Sequence, residues 1–144
     1  MNINIVSGYF AAFHSGHKKY LEDALKYCDL LIVIVQADSF QRKKYGLNAR
    51  STFKIIRDIN DWWKEQKEGA PLDIVINKKE SVADLLLEIS KKYEGSTLTF
   101  IKDGDRPFSS LPEEEKEALT KNNINFLFLG NPKVESSSKI LGEK

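Results

Sequence analysis

The chain alternates short apolar runs with segments of helical period. Ile3 to Val6 reads as a buried strand ending at Ser7-Gly8, and Tyr20, Leu21, Ala24, Leu25 and Cys28 then recur on one face at helical spacing. Leu30 to Val35 is apolar without a break, as expected of a strand covered on both faces. Gln36 to Leu47 is polar, basic and irregular and reads as a loop. Asn48 is a candidate N-cap for a long helix with Phe53, Ile56, Ile59 and Trp63 inward, closed by Gly69-Ala70-Pro71. Leu72 to Ile76 gives a third strand, and Ser81 caps a helix carrying Val82, Leu85, Leu86 and Ile89. Leu98 to Ile101 is a fourth strand, Pro112 to Lys121 a more polar helix with proline at its start, and Phe126 to Leu129 a fifth strand. A short last helix is expected from Ser136.

Strands alternating with helices imply an α/β fold: a doubly wound, Rossmann-like parallel sheet of five strands with helices on both faces. No internal repeat, low-complexity tract or linker interrupts it, so residues 1–144 read as one domain. Ligands of such sheets bind beyond the carboxyl ends of the strands, where the strand order reverses. That rule directs attention to Ser7–His17, Gln36–Leu47, Lys102–Arg106 and Gly130–Ser138.

Composition narrows the class without changing this picture. Charged residues make up 30% of the chain but nearly cancel, leaving a formal net charge of +1, so a bulk electrostatic footprint for nucleic acid is absent. The single cysteine, Cys28, forms no internal disulfide and reads as part of the first helix's apolar stripe. No signal-peptide pattern opens the chain, and its longest apolar run, Leu30 to Val35, is too short to span a bilayer, so a soluble cytoplasmic protein is expected. No Cys/His/Asp cluster has zinc spacing. Of Trp62 and Trp63, one is expected in the core and the other over its edge, and Glu113-Glu114-Glu115 reads as a solvated face near a helix start.

The candidate chemistry lies after the first strand. The chain's two histidines, His14 and His17, both fall there, three positions apart around Gly16. At the first turn of a helix this spacing puts them on roughly the same side. The turn also offers backbone N–H groups and a positive dipole end to an anion, and Gly16 lets a phosphate approach the backbone closely. The same dipole disfavours imidazolium, so the rings are expected to act at least partly as neutral hydrogen-bond donors.

His14-Ser15-Gly16-His17, preceded by Gly8-Tyr9-Phe10, resembles the HxGH signature of the cytidylyltransferase-like nucleotidyltransferase superfamily. The resemblance implies that both histidines contact a nucleoside triphosphate and stabilise the charge that develops as pyrophosphate leaves, with Gly8, Tyr9, Phe10 and Gly16 forming part of the nucleotide site. Three further segments fit in order. The basic stretch Arg42-Lys43-Lys44 matches a family loop that carries a catalytic lysine, here Lys43 or Lys44, and Arg50 matches a substrate-binding arginine. Ile101-Lys102-Asp103-Gly104-Asp105-Arg106 resembles the Lys-Gly-Gly-Asp stretch in the adenylyltransferase domain of ADP-heptose synthases, which implies substrate contacts from Lys102 and Arg106 and a nucleotide contact from Asp105. Glu135-Ser136-Ser137-Ser138-Lys139-Ile140 resembles the closing Ser-Thr-Thr-x-Ile motif and assigns Ser136, Ser137 and Ser138 to the triphosphate.

The chain departs from the pattern at Ala11, where many members carry Asp or Asn, at Glu135, usually apolar, and at Asn131, often arginine. The implied activity is transfer of AMP or CMP from ATP or CTP to a phosphorylated small molecule such as a sugar phosphate, with Mg²⁺ arriving on the triphosphate. A cytidylyltransferase acting on glycerol phosphate stands close behind, and the departures support a catalytically altered nucleotide-binding module as the rival. A dehydrogenase-type dinucleotide domain is weakened, since no Gly-x-Gly-x-x-Gly follows the first strand. Neither a nucleic-acid nor a membrane partner is expected, and dimerisation, common among such relatives, is left open.

Overall fold

The computed structural model describes residues 1–11, 13, 15–66, 69–103 and 108–129 with their side chains, and the backbone of Asn131–Ser136. The strands are β1 (Asn2–Gly8), β2 (Leu30–Gln36), β3 (Leu72–Asn77), β4 (Thr97–Lys102), β5 (Asn125–Phe128) and β6 (Asn131–Ser136). The helices are α1 (Ser15–Leu25), α2 (Asp38–Tyr45), α3 (Thr52–Glu65), α4 (Ala83–Lys92) and α5 (Glu113–Lys121). The strands form one sheet in the order β3-β2-β1-β4-β5-β6, and the first five of them pair in parallel. This is the α/β, Rossmann-like sheet that the alternation predicts.

Both faces of the sheet are covered, as continuous apolar strands require. Ile3, Ile5, Ile32, Ile34, Phe100 and Phe126 pack with Leu86 of α4 and Leu119 of α5. On the other face Val6, Leu31, Val33, Val35 and Ile101 pack with Leu21 and Ala24 of α1 and with Ile55, Ile59 and Trp62 of α3. Burial of this kind contributes roughly 25 cal/mol for each Å² of apolar surface removed from water. Among the described residues, no helix is long and apolar enough to cross a membrane.

The structure corrects the expected elements in four places. Gln36–Leu47 is not a loop, because Asp38–Tyr45 forms α2. The helix was hidden because its one buried residue is polar, Gln41, leaving no apolar stripe to read. Its charges are arranged for a helix, with Asp38 in the first turn and Arg42, Lys43 and Lys44 in the last. Gly46, at φ 84°, ends it in a conformation that disfavours a side chain, and its N–H donates to the Arg42 carbonyl at 2.8 Å.

The second correction is the phase of α3. The helix starts at Thr52 rather than after Asn48, with the Ser51 hydroxyl accepting the Lys54 N–H at 3.3 Å. It buries Thr52, Ile55, Ile59 and Trp62, whereas Phe53 is 75% exposed. Two stripes one residue apart share Ile59, and apolar counting cannot separate them. The observed one brings the Thr52 hydroxyl to the Gln36 carbonyl, to which it donates at 2.8 Å. Trp63 then covers the edge, its indole N–H donating to the Ala70 carbonyl at 3.0 Å.

Third, Asn131–Ser136 is an added strand, antiparallel to β5, where irregular chain and the start of a helix were expected. Two residues separate β5 from β6; a connection that short closes a hairpin and cannot make the crossover needed by a parallel pair. The rest of the expected last helix, residues 137–144, lies outside the described residues. Fourth, Glu115 is buried in α5 rather than solvated, and burial pushes its carboxyl above the usual range, with the Lys102 charge and a Ser81 hydrogen bond acting in opposition. Cys28 lies beyond the end of α1, half-buried, its thiol donating towards the carbonyls of Ala24 and Leu25.

Candidate active site

The chain order reverses between β1 and β4, which neighbour each other while β1 leads on to β2 on its other side. At the carboxyl ends of these two strands lies a cavity of about 360 Å³. Its walls are Ser7, Gly8, Tyr9 and Phe10 after β1, His17 and Tyr20 of α1, Lys44 and Tyr45 of α2, and Lys102 and Asp103 at the end of β4.

The loop after β1 is shaped by an inward-turned ring. Phe10 is 2% exposed and has φ 52°, the left-handed region. A Cβ on Gly8 would come within 3.2 Å of the Phe10 ring, so the glycine makes room for it. Phe10 then meets His17 edge-on at 5.4 Å and stacks on Tyr20 at 6.3 Å between ring centroids. Phe13 stacks on His17 at 6.1 Å and 9°. The imidazole is therefore fixed by rings from one connecting segment. It stands in the first turn of α1, which carries no acid and so leaves the positive end of the helix dipole available to an anion. Gly16 is exposed beside it.

Tyr20 ties α1 to the sheet. Its hydroxyl donates to the Ile101 carbonyl of β4, and burial pushes the phenol far above its ordinary range, with Asp103 acting in the same direction. Tyr20 is thus a locked donor and not an acid at neutral pH.

The opposite wall comes from α2. The Lys44 Nζ sits 4.2 Å from the Tyr9 ring centroid and 5.4 Å from that of Tyr45, while Tyr9 and Tyr45 meet edge-on at 5.8 Å. The structure thereby separates the two candidate lysines: Lys44 lines the cavity, and Lys43 is not among its lining residues. Lys102 lines it from β4, with its Nζ 5.5 Å from the Phe100 ring centroid. Arg50 is directed elsewhere, in a two-pronged pair with Asp58 at 2.8 and 3.0 Å, and is likewise absent from the described cavity wall. His14, Asp105, Arg106, Ser137 and Ser138 lie outside the described residues, and Ser136, described only as backbone, ends β6 opposite Asn125, at the amino end of β5 and so away from this carboxyl-end cavity.

Four wall residues have no role assigned from sequence: Ser7, Tyr45 and Asp103, which fall inside the indicated segments, and Tyr20, which does not. Tyr20 was legible only as an apolar position. Tyr45 follows from α2, whose charge order was the one available signal. A larger cavity, about 420 Å³, opens between the starts of α4 and α5, but among the described residues its lining carries five acids, Glu80, Asp84, Glu113, Glu114 and Glu115, and one base, Lys79. Such a wall repels a polyphosphate, so the smaller cavity is the better anion site.

The crystal structure of the lipopolysaccharide core biosynthesis protein from Thermoplasma volcanium GSS1 has a similar fold, with TM-score 0.63 and 18% sequence identity over 92% of this chain and 99% of that one. No curated protein sequence matches the chain. The family model described as cytidylyltransferase-like matches residues 5–140, from the first strand through the closing Ser-Ser-Ser segment. With the signature histidines falling inside that span and His17 facing the cavity at the switch point, the chain belongs to the cytidylyltransferase-like family.

Proposed function

We propose that the chain transfers AMP, or CMP, from ATP or CTP to the phosphate of a small molecule and releases pyrophosphate. The observation that carries this reading is the placement of His17 across one cavity from Lys44, at the dipole end of α1. An oxygen of the acceptor phosphate attacks the α-phosphorus in line, the bond from that phosphorus to the bridging oxygen breaks, and the electron pair leaves with pyrophosphate. Such a step needs fixed positive and hydrogen-bonding groups more than a covalent nucleophile. His17 and Lys44 supply them in this reading, with His14 completing the grip on the triphosphate and Lys102 and Arg106 reserved for the acceptor. Asp105 is assigned to the nucleotide. Mg²⁺, arriving with the triphosphate, would offset phosphate charge beside these residues.

The likeness of Ile101–Arg106 to the ADP-heptose synthase stretch favours ATP and a sugar phosphate. Glycerol phosphate with CTP is the second acceptor pair. Ala11, an apolar residue where relatives carry an acid or amide, favours a different reading, a nucleotide-binding module without turnover. The deciding experiment measures pyrophosphate release over a panel of nucleotides and acceptor phosphates, with mass spectrometry of the conjugate. One productive pair identifies the reaction; tight nucleotide binding with no release from any pair selects the module.

A further inference from the structure

Gln41 is wholly buried on the inward face of α2. Its side-chain amide donates to the Tyr9 carbonyl at 2.8 Å and to the Gln36 carbonyl at 3.3 Å. Both neighbours are acceptors, so the amide must present its NH₂ group to them. Its own Oε1 then meets no donor among the described residues. A buried acceptor left in that state is destabilising, and an apolar side chain would avoid it. The fold keeps the amide at the junction of two cavity walls.

The spacing explains what the amide does there. Gln41, Lys44 and Tyr45 stand at i, i+3 and i+4, which puts them on one face of α2. All three meet the same residue: Gln41 the Tyr9 carbonyl, Lys44 the face of the Tyr9 ring, and Tyr45 its edge. The two ring contacts are weak and adjustable, whereas the amide hydrogen bond is directional.

We infer that Gln41 is a positioning residue: its amide locks α2 onto the Tyr9 carbonyl and so fixes where Lys44 stands over the cavity. The consequence for catalysis rests on the reading of that cavity as the nucleotide site; the locking itself does not. Misplacing a charged group by about 1 Å in such a site can cost on the order of 100-fold in rate.

The test compares wild type with Gln41→Leu and Gln41→Glu, using two independent readouts. The first is the NMR shift of the Lys44 ε-methylene protons, which the Tyr9 ring current moves upfield whether or not the protein turns over. In Gln41→Leu, with circular dichroism unchanged, that shift should collapse to the value of an exposed lysine. In Gln41→Glu a protonated carboxyl can donate to the Tyr9 carbonyl and an ionised one cannot, so the upfield shift should be present at low pH and vanish as pH rises through the carboxyl's titration. The second readout is the rate of pyrophosphate release with a productive pair, or the affinity for tripolyphosphate if no pair is productive. It should fall about 10- to 100-fold in Gln41→Leu and follow the proton in Gln41→Glu. An unmoved Lys44 resonance in a folded Gln41→Leu protein overturns the inference, and so does a moved resonance with unchanged rate and affinity. Wild-type protein without turnover on any pair overturns the proposed reaction instead, and leaves the Lys44 shift and tripolyphosphate affinity to judge Gln41.

Discussion

The carboxylate of Asp38, in the first turn of α2, accepts the backbone N–H of Thr52 at the start of α3 at 2.7 Å. One acid therefore serves two helices, favouring the dipole of its own and satisfying an N–H at the start of the next. The Thr52 hydroxyl closes the arrangement on the Gln36 carbonyl, anchoring both helices at the end of β2.

Asp38→Ala should lower stability by about 1 kcal/mol at pH 7, the usual cost of losing a helix-start acceptor. The Thr52 N–H bond, helped by the Arg42 charge, holds the carboxyl below its ordinary range despite some desolvation. A depressed folded pKa stabilises above the unfolded value, about 3.9, and that contribution disappears as pH falls through the folded one. Urea denaturation at pH 7 and pH 3 should show the gap between wild type and variant narrowing in acid. A gap of constant size would mean that the charge contributes nothing.

Glu115 works in the opposite sense. Burial raises its folded pKa, so the neutral carboxyl is the favoured form in the folded protein, and the associated stability is present below the unfolded value of about 4.3 and lost as pH rises through the folded one. Glu115→Gln replaces an acid that must ionise in a buried place by a neutral group of the same shape. The variant should be more stable than wild type at pH 7 and indistinguishable from it near pH 3.5. Thermal melts at the two pH values measure this; a variant less stable at pH 7 would show that the Lys102 attraction outweighs desolvation.

These two acids mark the limit of what the chain's pattern discloses. The parallel strands were legible because Leu30–Val35 is an unbroken apolar run and Ile3–Val6 and Leu98–Ile101 are short, mostly apolar runs between helical segments. The helix α2 was not, because its inward face is Gln41, and a buried amide has the same letter as a solvated one. The phase of α3 was not, because Thr52 gains its place through a hydroxyl bond that hydrophobic periodicity does not count. His17 lines the cavity at the carboxyl end of β1, where the sequence directs attention, yet one of the rings against it, that of Phe10, is set by a left-handed turn at Phe10. That turn follows from packing, not from a turn residue in the sequence.

His17→Ala should fold normally and lower turnover by about 10²- to 10³-fold, the range for removing one donor aimed at developing charge. The ring is half-buried at the cavity edge, and Phe10 keeps its contact with Tyr20 when the imidazole is gone. His17→Gln retains a neutral N–H donor of similar reach and should recover part of the loss if the imidazole acts in its neutral form. Equal defects in the two variants would point to imidazolium charge, and pyrophosphate release rates on both, with circular dichroism to confirm folding, distinguish these outcomes.

The basic end of α2 offers a sharper comparison, because Lys43 and Lys44 are adjacent in sequence but a turn of about 100° apart around the helix. Lys44 shares the face of Gln41 and reaches the Tyr9 ring, whereas Lys43, two positions from Gln41, does not share it. Lys44→Met should lower kcat/KM by about 10- to 100-fold through loss of a positioned charge, and Lys43→Met should change it less than about twofold. Lys44→Arg should fall between them, since guanidinium also stacks on the Tyr9 ring but presents its charge in a wider, planar fork. Steady-state kinetics at two ionic strengths separate a bound phosphate contact from general attraction, because the latter fades within a Debye length of about 10 Å at 0.1 M salt. Equal losses for Lys43→Met and Lys44→Met would remove the geometric reason for preferring Lys44.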